Sequence, residues 1–263
     1  MRVMALHEDL IVVVSAVWQT TSTLVRSGEE GFVIDSPVLP EELEALPALA
    51  EQAGFPVSGL LATHADWDHL LGRLAFPEAG LGLGEPSLAR LNAEPGDAQR
   101  RLRGFDEEYY IDGRPPLGLG GGQALPVPGR LSLGADGAAE LELHPAPGHT
   151  ADGTAFWIGW LETLVCGDYL SPVEIPMISR GGSAPAYLET LARLAGFVDR
   201  AESVVPGHGR PLGRDLAQRV LEEDVGYLEA LLGGGEAALP EGRRTGDQKQ
   251  IHAENVERVT AGG

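Results

Sequence analysis

Residues 57–69 read VSGLLATHADWDH, an apolar run that passes directly into four side chains able to hold a metal. The apolar part has strand character, and LLGRLAF at 70–76 has helical spacing, so the polar stretch is predicted as the loop of a strand–loop–helix unit. His64, Asp66 and Asp68 alternate along an extended segment and can face one side, while His69 projects differently. Imidazole and carboxylate ligands packed this closely can serve two neighbouring cations.

Three further candidates stand in comparable places. His149 lies in PAPGHT, Asp168 in LVCGD and His208 in VVPGHG, each just beyond a strand-like apolar run. Strand ends are where ligands from distant parts of an α/β chain converge. Any one of these side chains would pass as an ordinary loop residue. Four of the seven histidines in turns of this kind call for a shared explanation.

The pieces THADWDH, PGHT, GD and PGHG, in this order between about 10 and 210, resemble the metallo-β-lactamase fold superfamily of hydrolases, which includes glyoxalase II-like enzymes. THADWDH matches the family's His-x-His-x-Asp-His loop. The resemblance implies an α/β (α+β) fold, a four-layer αββα sandwich of two mixed β-sheets flanked by helices, with metals at one edge. By position, His64, Asp66 and His149 would hold one ion, Asp68, His69 and His208 a second, and Asp168 would bridge them.

Asp66 is a departure, since hydrolases of the family most often carry histidine there. With three carboxylates and a bridging hydroxide set against two divalent ions, the ligand set is neutral, which blunts Lewis acidity. Zinc is the expected ion, and the added hard oxygen ligand keeps iron or manganese open. The implied chemistry is cleavage of a small ester, thioester, lactone or related bond by a metal-bridging hydroxide, with Asp68 orienting it and moving its proton. Flavodiiron oxidoreductases resemble the same superfamily and carry a carboxylate at this position, so a non-heme di-iron oxidoreductase is the alternative, although no flavodoxin-like module is visible. A metal-binding protein without turnover is the third reading.

Around the metals, Asp35 in VIDSP is expected to support the ligands from behind. Trp67, Tyr169, Arg180, Tyr109 and Tyr110 are candidates for contacting substrate, Arg180 as a grip on a carboxylate or phosphate. His144 alternates with Leu141 and Leu143 and reads as a local hydrogen-bonding residue; His7 and His252 receive no role. Cys166, the single cysteine, fits a small buried hydrophobe better than a nucleophile.

Acidic residues outnumber basic ones by 39 to 19, for a formal charge of −20, which repels a nucleic-acid backbone and points to a small-molecule substrate. The short basic run GDAQRRLRG at 96–104 reads as a solvated helix face. A single lysine, Lys249, leaves little for Schiff-base chemistry. The stretch at 10–18 is too short to span a bilayer and lacks the basic flank of a signal peptide, so a cytoplasmic protein without membrane contact is expected. A homodimer is compatible with the sequence.

Strands are predicted at 11–14 and 31–36 with TSTLVRS as a third between them, and a helix over PEELEALPALAEQAG. Between about 80 and 130 no regular element is assigned, and the domain is read as 1–232 with an insertion at about 85–130 over the active face. Residues 233–263 form a C-terminal tail or helix.

Overall fold

The computed structural model describes residues 1–134, 137, 139–234 and 237–260. The chain opens with an antiparallel meander, β1 Arg2–His7, β2 Leu10–Val14, β3 Thr21–Ser27 and β4 Glu30–Ile34. Helix α1, Pro40–Gln52, then crosses back so that β5, Gly59–Ala62, lies parallel to β4. Pro40 presets the first helical turn, and the buried Glu42 carboxylate accepts hydrogen bonds from Leu39 N and Ser15 Oγ. Leu43, Leu46 and Ala50 form its buried stripe.

The segment after β5 holds a 3-10 turn, Trp67–His69, and a single helical turn, α2 Gly72–Ala75, shorter than LLGRLAF suggests. The unassigned stretch contains β6 Gly80–Gly84, α3 Glu85–Ala93, α4 Asp97–Glu108 and β7 Gln123–Leu125. Both strands extend the first sheet in parallel, giving it seven strands in sequence order. Its periodicity is hard to read because GLGLG carries almost no side-chain pattern and QAL is too short for one.

The second sheet has six strands, in the order β13-β12-β11-β10-β9-β8. They are β8 Gly129–Leu133, β9 Ala139–Pro145, β10 Thr154–Ile158, β11 Thr163–Val165, β12 Ser203–Val205 and β13 Leu212–Gly213. Helix α5, Ala184–Val198, makes the crossover that sets β12 parallel to β11, and α6, Arg214–Leu232, packs beside it. Both sheets are mixed, and helices cover their outer faces, so the four-layer αββα sandwich is present.

Between the sheets, Val12, Ile34 and Leu61 belong to the same buried cluster as Leu141, Phe156 and Val165. Each such side chain contributes roughly 1.5–3 kcal/mol by leaving water. All five residues of β2, and all five of β10, are buried, which explains their unbroken apolar or compact composition.

The C-terminal part is an ordered helix, α7 Gly246–Thr260, docked by amide side chains. Gln248 Oε1 accepts from Ile175 N at 2.7 Å and Asn255 Oδ1 from Ile178 N at 2.9 Å. Asn255 Nδ2 donates to Pro176 O at 2.7 Å and to Tyr227 Oη at 3.0 Å. Ahead of α7, buried Arg243 donates to Asp224, Glu223 and the carbonyls of Ser171 and Glu174. Among the described residues no helix is long and apolar enough to cross a membrane.

Candidate metal centre

Four loops meet at one edge of the sandwich: those following β5, β9, β11 and β12. The two sheets are tied there by Thr154 N donating to Thr63 O at 2.7 Å and Thr21 N donating to Gly207 O at 2.8 Å. His64, Asp66, Asp68 and His69 leave β5, His149 follows β9, Asp168 follows β11 and His208 follows β12. All seven predicted ligand residues converge in this place.

Asp168 divides the group. Its Oδ2 lies 3.7 Å from His64 Nε2 and 3.2 Å from His149 Nε2, and Asp66 Oδ2 lies 3.7 Å from both imidazoles. Its Oδ1 lies 3.2 Å from His69 Nε2 and 3.5 Å from His208 Nε2, and Asp68 Oδ2 lies 3.6 Å from both. Ligand atoms about 2.0–2.1 Å from a tetrahedral ion are roughly 3.3 Å apart, so each set is spaced as the edges of a coordination polyhedron. His64 Nε2, His69 Nε2, His149 Nε2 and Asp168 Oδ1 are buried without a hydrogen-bond partner, a costly condition that a shared cation relieves. The donor set therefore fits two divalent ions.

The outer nitrogens of His64, His149 and His208 are hydrogen-bonded, and that of His69 stands next to a carboxylate. His149 Nδ1 bonds Met177 O at 2.8 Å, and His208 Nδ1 bonds Trp18 O at 3.1 Å. His69 Nδ1 lies 3.1 Å from Asp35 Oδ2. Thr63 Oγ1 donates to Asp35 Oδ2 at 2.9 Å, leaving its lone pair for His64 Nδ1 at 3.0 Å. Where Nδ1 is occupied as donor, in His64, His149 and His208, Nε2 is left as the lone-pair side of the ring, the arrangement that metal binding needs. Asp35 thus stands behind two histidines, and its positive φ of 59° marks backbone strain spent on that placement.

Electrostatics bind the cluster together. Burial alone would raise the Asp168 carboxyl, but His208, His69, His149 and His64 hold it well below the usual carboxylate range. Burial would lower His208, yet Glu174, Asp168 and Asp68 push it up to about 10. His64, buried next to His69, is lowered. Glycine is required in PGHG because a Cβ on Gly207 would collide with Asp168 Oδ1, and Gly148, at φ 141°, lies against the backbone of Tyr187.

Several residues escaped the sequence reading. Arg90, from the unassigned stretch, donates to Asp66 Oδ1 at 2.6 Å and to Asp152 Oδ1 at 2.9 Å, while Asp152 Oδ2 accepts from Ala65 N inside the ligand loop. Arg101 reaches Asp66 Oδ1 at 3.4 Å, so the basic run at 96–104 is not only a solvated face. Glu174 approaches His208 Nδ1 at 3.8 Å, and burial raises its carboxyl. None of these carries a local motif; their roles arise from contacts across long sequence separations.

Candidate substrate residues divide. Trp67 and Trp18 line a cavity of about 350 Å³ above the ligands, and both pack on Phe105. Tyr169 is turned inward, donating to Ala146 O and accepting from His149 N, so it braces the His149 loop rather than meeting substrate. Arg180 is 89% exposed, reaches only Glu94 at 4.0 Å and does not line the cavity. Tyr109 stacks on Phe105 behind the wall, and Tyr110 is 93% exposed in solvent. His144 pairs with Glu142 at 3.0 Å, and Cys166 is buried.

A family model described as the metallo-beta-lactamase superfamily matches residues 16–208. The chain belongs to that superfamily. A hydroxyacylglutathione hydrolase of Anaeromyxobacter dehalogenans (strain 2CP-C) is 28% identical over 219 residues, 82% of this chain and 71% of the relative. The metallo-beta-lactamase family protein TTHA1429 of Thermus thermophilus superposes with a TM-score of 0.66 at 20% identity, covering 98% of this chain and 96% of that one. TTHA1623, solved in a di-iron-bound form, gives a TM-score of 0.60 at 24% identity over 80% of this chain and 97% of its own. These superpositions show the superfamily's sandwich fold and leave chemistry to the residues of the site.

Proposed function

We propose that the protein is a metal-dependent hydrolase that cleaves an ester, thioester, lactone or related bond of a small molecule. The observation that carries this reading is the division of Asp168, one oxygen toward each of two His/Asp sets at the floor of an open cavity. The hydrolase-named relative supports it. Two bound divalent ions would supply water acidified from ~15.7 towards ~7 and a Lewis acid for the substrate oxygen.

The chain's own residues do the rest. Asp68 lines the cavity next to His69 and His208. It orients the attacking water and receives its proton, since a ligating carboxylate keeps one oxygen free. Trp18 and Trp67 exclude solvent from one side of the substrate. Asp35, Thr63 and the carbonyls of Met177 and Trp18 keep the imidazoles from rotating. Zinc is the ion favoured by the four imidazoles, while the Asp66 carboxylate favours iron or manganese and sustains a second reading, di-iron oxidoreduction.

Elemental analysis of protein purified without added metal, followed by assay of zinc- and iron-loaded samples on ester, thioester and lactone panels, separates these. Two equivalents of zinc with hydrolysis supports the first reading. Iron with oxygen consumption and no hydrolysis replaces it with the second, and a full metal complement with neither activity leaves a binding protein.

A further inference from the structure

The cavity above the metal-ligand set has two unlike walls. On one side stands Trp18, 40% exposed, edge-on to Trp67 at 5.7 Å and to Phe105 at 5.1 Å. Trp18 and its neighbour Gln19 both hold positive φ, 52° and 53°. Their carbonyls bond His208 Nδ1 and Gly209 N, so the strained turn fixes the exposed indole relative to a ligand loop. On the other side is α7, which presents Asp247, Gln250, Ile251 and Glu254 to the cavity. Glu174 adds a further carboxyl near the floor.

Among the described residues, Arg101 is the one arginine or lysine lining this space, and its guanidinium lies 3.4 Å from Asp66. Neither Asp247 nor Glu254 forms an ion pair with a described cation. An indole face and free carboxylates both attract positive charge, the first through its quadrupole and the second by Coulomb attraction. Away from the metals, a substrate carboxylate would meet repulsion from Asp247, Glu254 and Glu174, with the single guanidinium of Arg101, shared with Asp66, set against them. The buried, unpartnered Nε2 of His149 at the same cavity marks where the reacting end must lie.

Resting on the hydrolase reading, we infer that the substrate carries an ammonium or similar cationic group, held between Trp18 and the Asp247/Glu254 face of α7 while its carbonyl reaches the metal centre. The substrate is thus an amine-bearing ester, thioester or lactone rather than a conjugate with free carboxylates such as a glutathione thioester. The helix that supplies the carboxylates is held in place by Gln248 and Asn255, which bind the backbone of the loop after Asp168. Recognition and metal ligation therefore share one support.

The test uses the zinc-loaded full chain and two matched series. Binding of para-aminomethyl benzyl mercaptan, benzyl mercaptan and para-carboxy benzyl mercaptan is measured by calorimetry, because a thiol can bind zinc whether or not turnover occurs. The cationic thiol is expected to bind about tenfold more tightly than the neutral one and the anionic thiol about tenfold more weakly, with the gaps shrinking in high salt. In the Asp247→Asn, Glu254→Gln double variant the spread should narrow, and Trp18→Leu should weaken the cationic thiol selectively. Equal affinities, tighter binding of the anion, or no binding of the cationic thiol would overturn the inference. Nitrophenyl esters of beta-alanine, butyrate and succinate are assayed in parallel. No cleavage of any ester with the thiol order intact removes the hydrolase reading alone; cleavage with no thiol order removes the charge preference alone.

Discussion

Arg90 Nη2 donates to Asp66 Oδ1 at 2.6 Å, so the carboxylate standing where related hydrolases most often have histidine carries its own counter-charge. The guanidinium adds +1 and its second partner, Asp152, adds −1, so Arg90 offsets Asp66 locally while the set with both counted stays neutral. The other arm of Arg90 binds Asp152, which is 3% exposed at its side chain and fixes Ala65 N in the ligand loop.

Arg90→Met leaves buried Asp152 without its cation and leaves Asp66 with only the longer, 3.4 Å contact to Arg101. Metal-free protein should lose about 3 kcal/mol of stability. Bound metal takes over part of the missing positive charge, so the loss should be smaller after zinc loading. Denaturant unfolding of both forms checks this, and equal losses would mean that Arg90 does not balance the metal-binding carboxylates.

Asp168→Ala removes a ligand from both sets at once, whereas His64→Ala removes one from a single set. Elemental analysis should find both ions lost or strongly weakened in the first variant and chiefly one in the second. Hydrolytic turnover by Asp168→Ala should fall by at least about a hundredfold.

Proton linkage follows from the imidazoles. In metal-free protein His208 is raised to about 10 and His69 and His149 are raised as well, by Asp168 and other carboxylates acting against burial. Raised imidazoles contribute stability that is complete below their unfolded value near 6.5 and lost as pH rises through the folded one. Metal-free protein should therefore lose stability between pH 7 and about 10. Zinc binding at neutral pH should release protons, seen as a dependence of calorimetric heat on buffer ionisation enthalpy. Uptake without proton release would refute the charged cluster.

Gly207→Ala drives a methyl group into Asp168 Oδ1. The expected result is at least about tenfold weaker metal binding in a protein whose circular dichroism still shows the native fold, since the collision falls on Asp168, His69 and the adjoining Gly167 backbone and on no part of the core. Unchanged affinity would show that the loop can move aside at little cost.

Asn255→Leu leaves Ile178 N and Pro176 O without their side-chain partners. About 1–3 kcal/mol per unpaired buried group should be lost, with faster amide exchange in α7 and in the 171–179 loop. Exchange confined to the helix alone would show that its docking does not hold the loop.

Strand and helix types were largely legible where patterning was strong: LIVVV, TSTLVRS and PEELEALPALAEQ form the elements their spacing predicts. GLGLG and the helices of 85–108 were not, because glycine removes the alternating pattern and charge dominates α4. The C-terminal segment was left open between tail and helix because its fully buried positions are the amides Gln248 and Asn255 rather than an apolar stripe. The ligand residues could be read because metal chemistry restricts them to imidazole and carboxylate at strand ends. Arg180 and Tyr169 were misassigned because closeness to Asp168 in sequence does not determine side-chain direction.

Sequence alone determined the well-patterned strands and helices and the candidate ligands at strand ends, and the resemblance carried by those short motifs implied the sandwich fold and the sevenfold ligand set, since hydrophobic period and ligand chemistry are properties of short segments. Tertiary structure decided which carboxylate has a counter-ion, which aromatics face the cavity and how α7 closes it. Those features depend on distance between residues far apart in the chain, and only packing sets such distances.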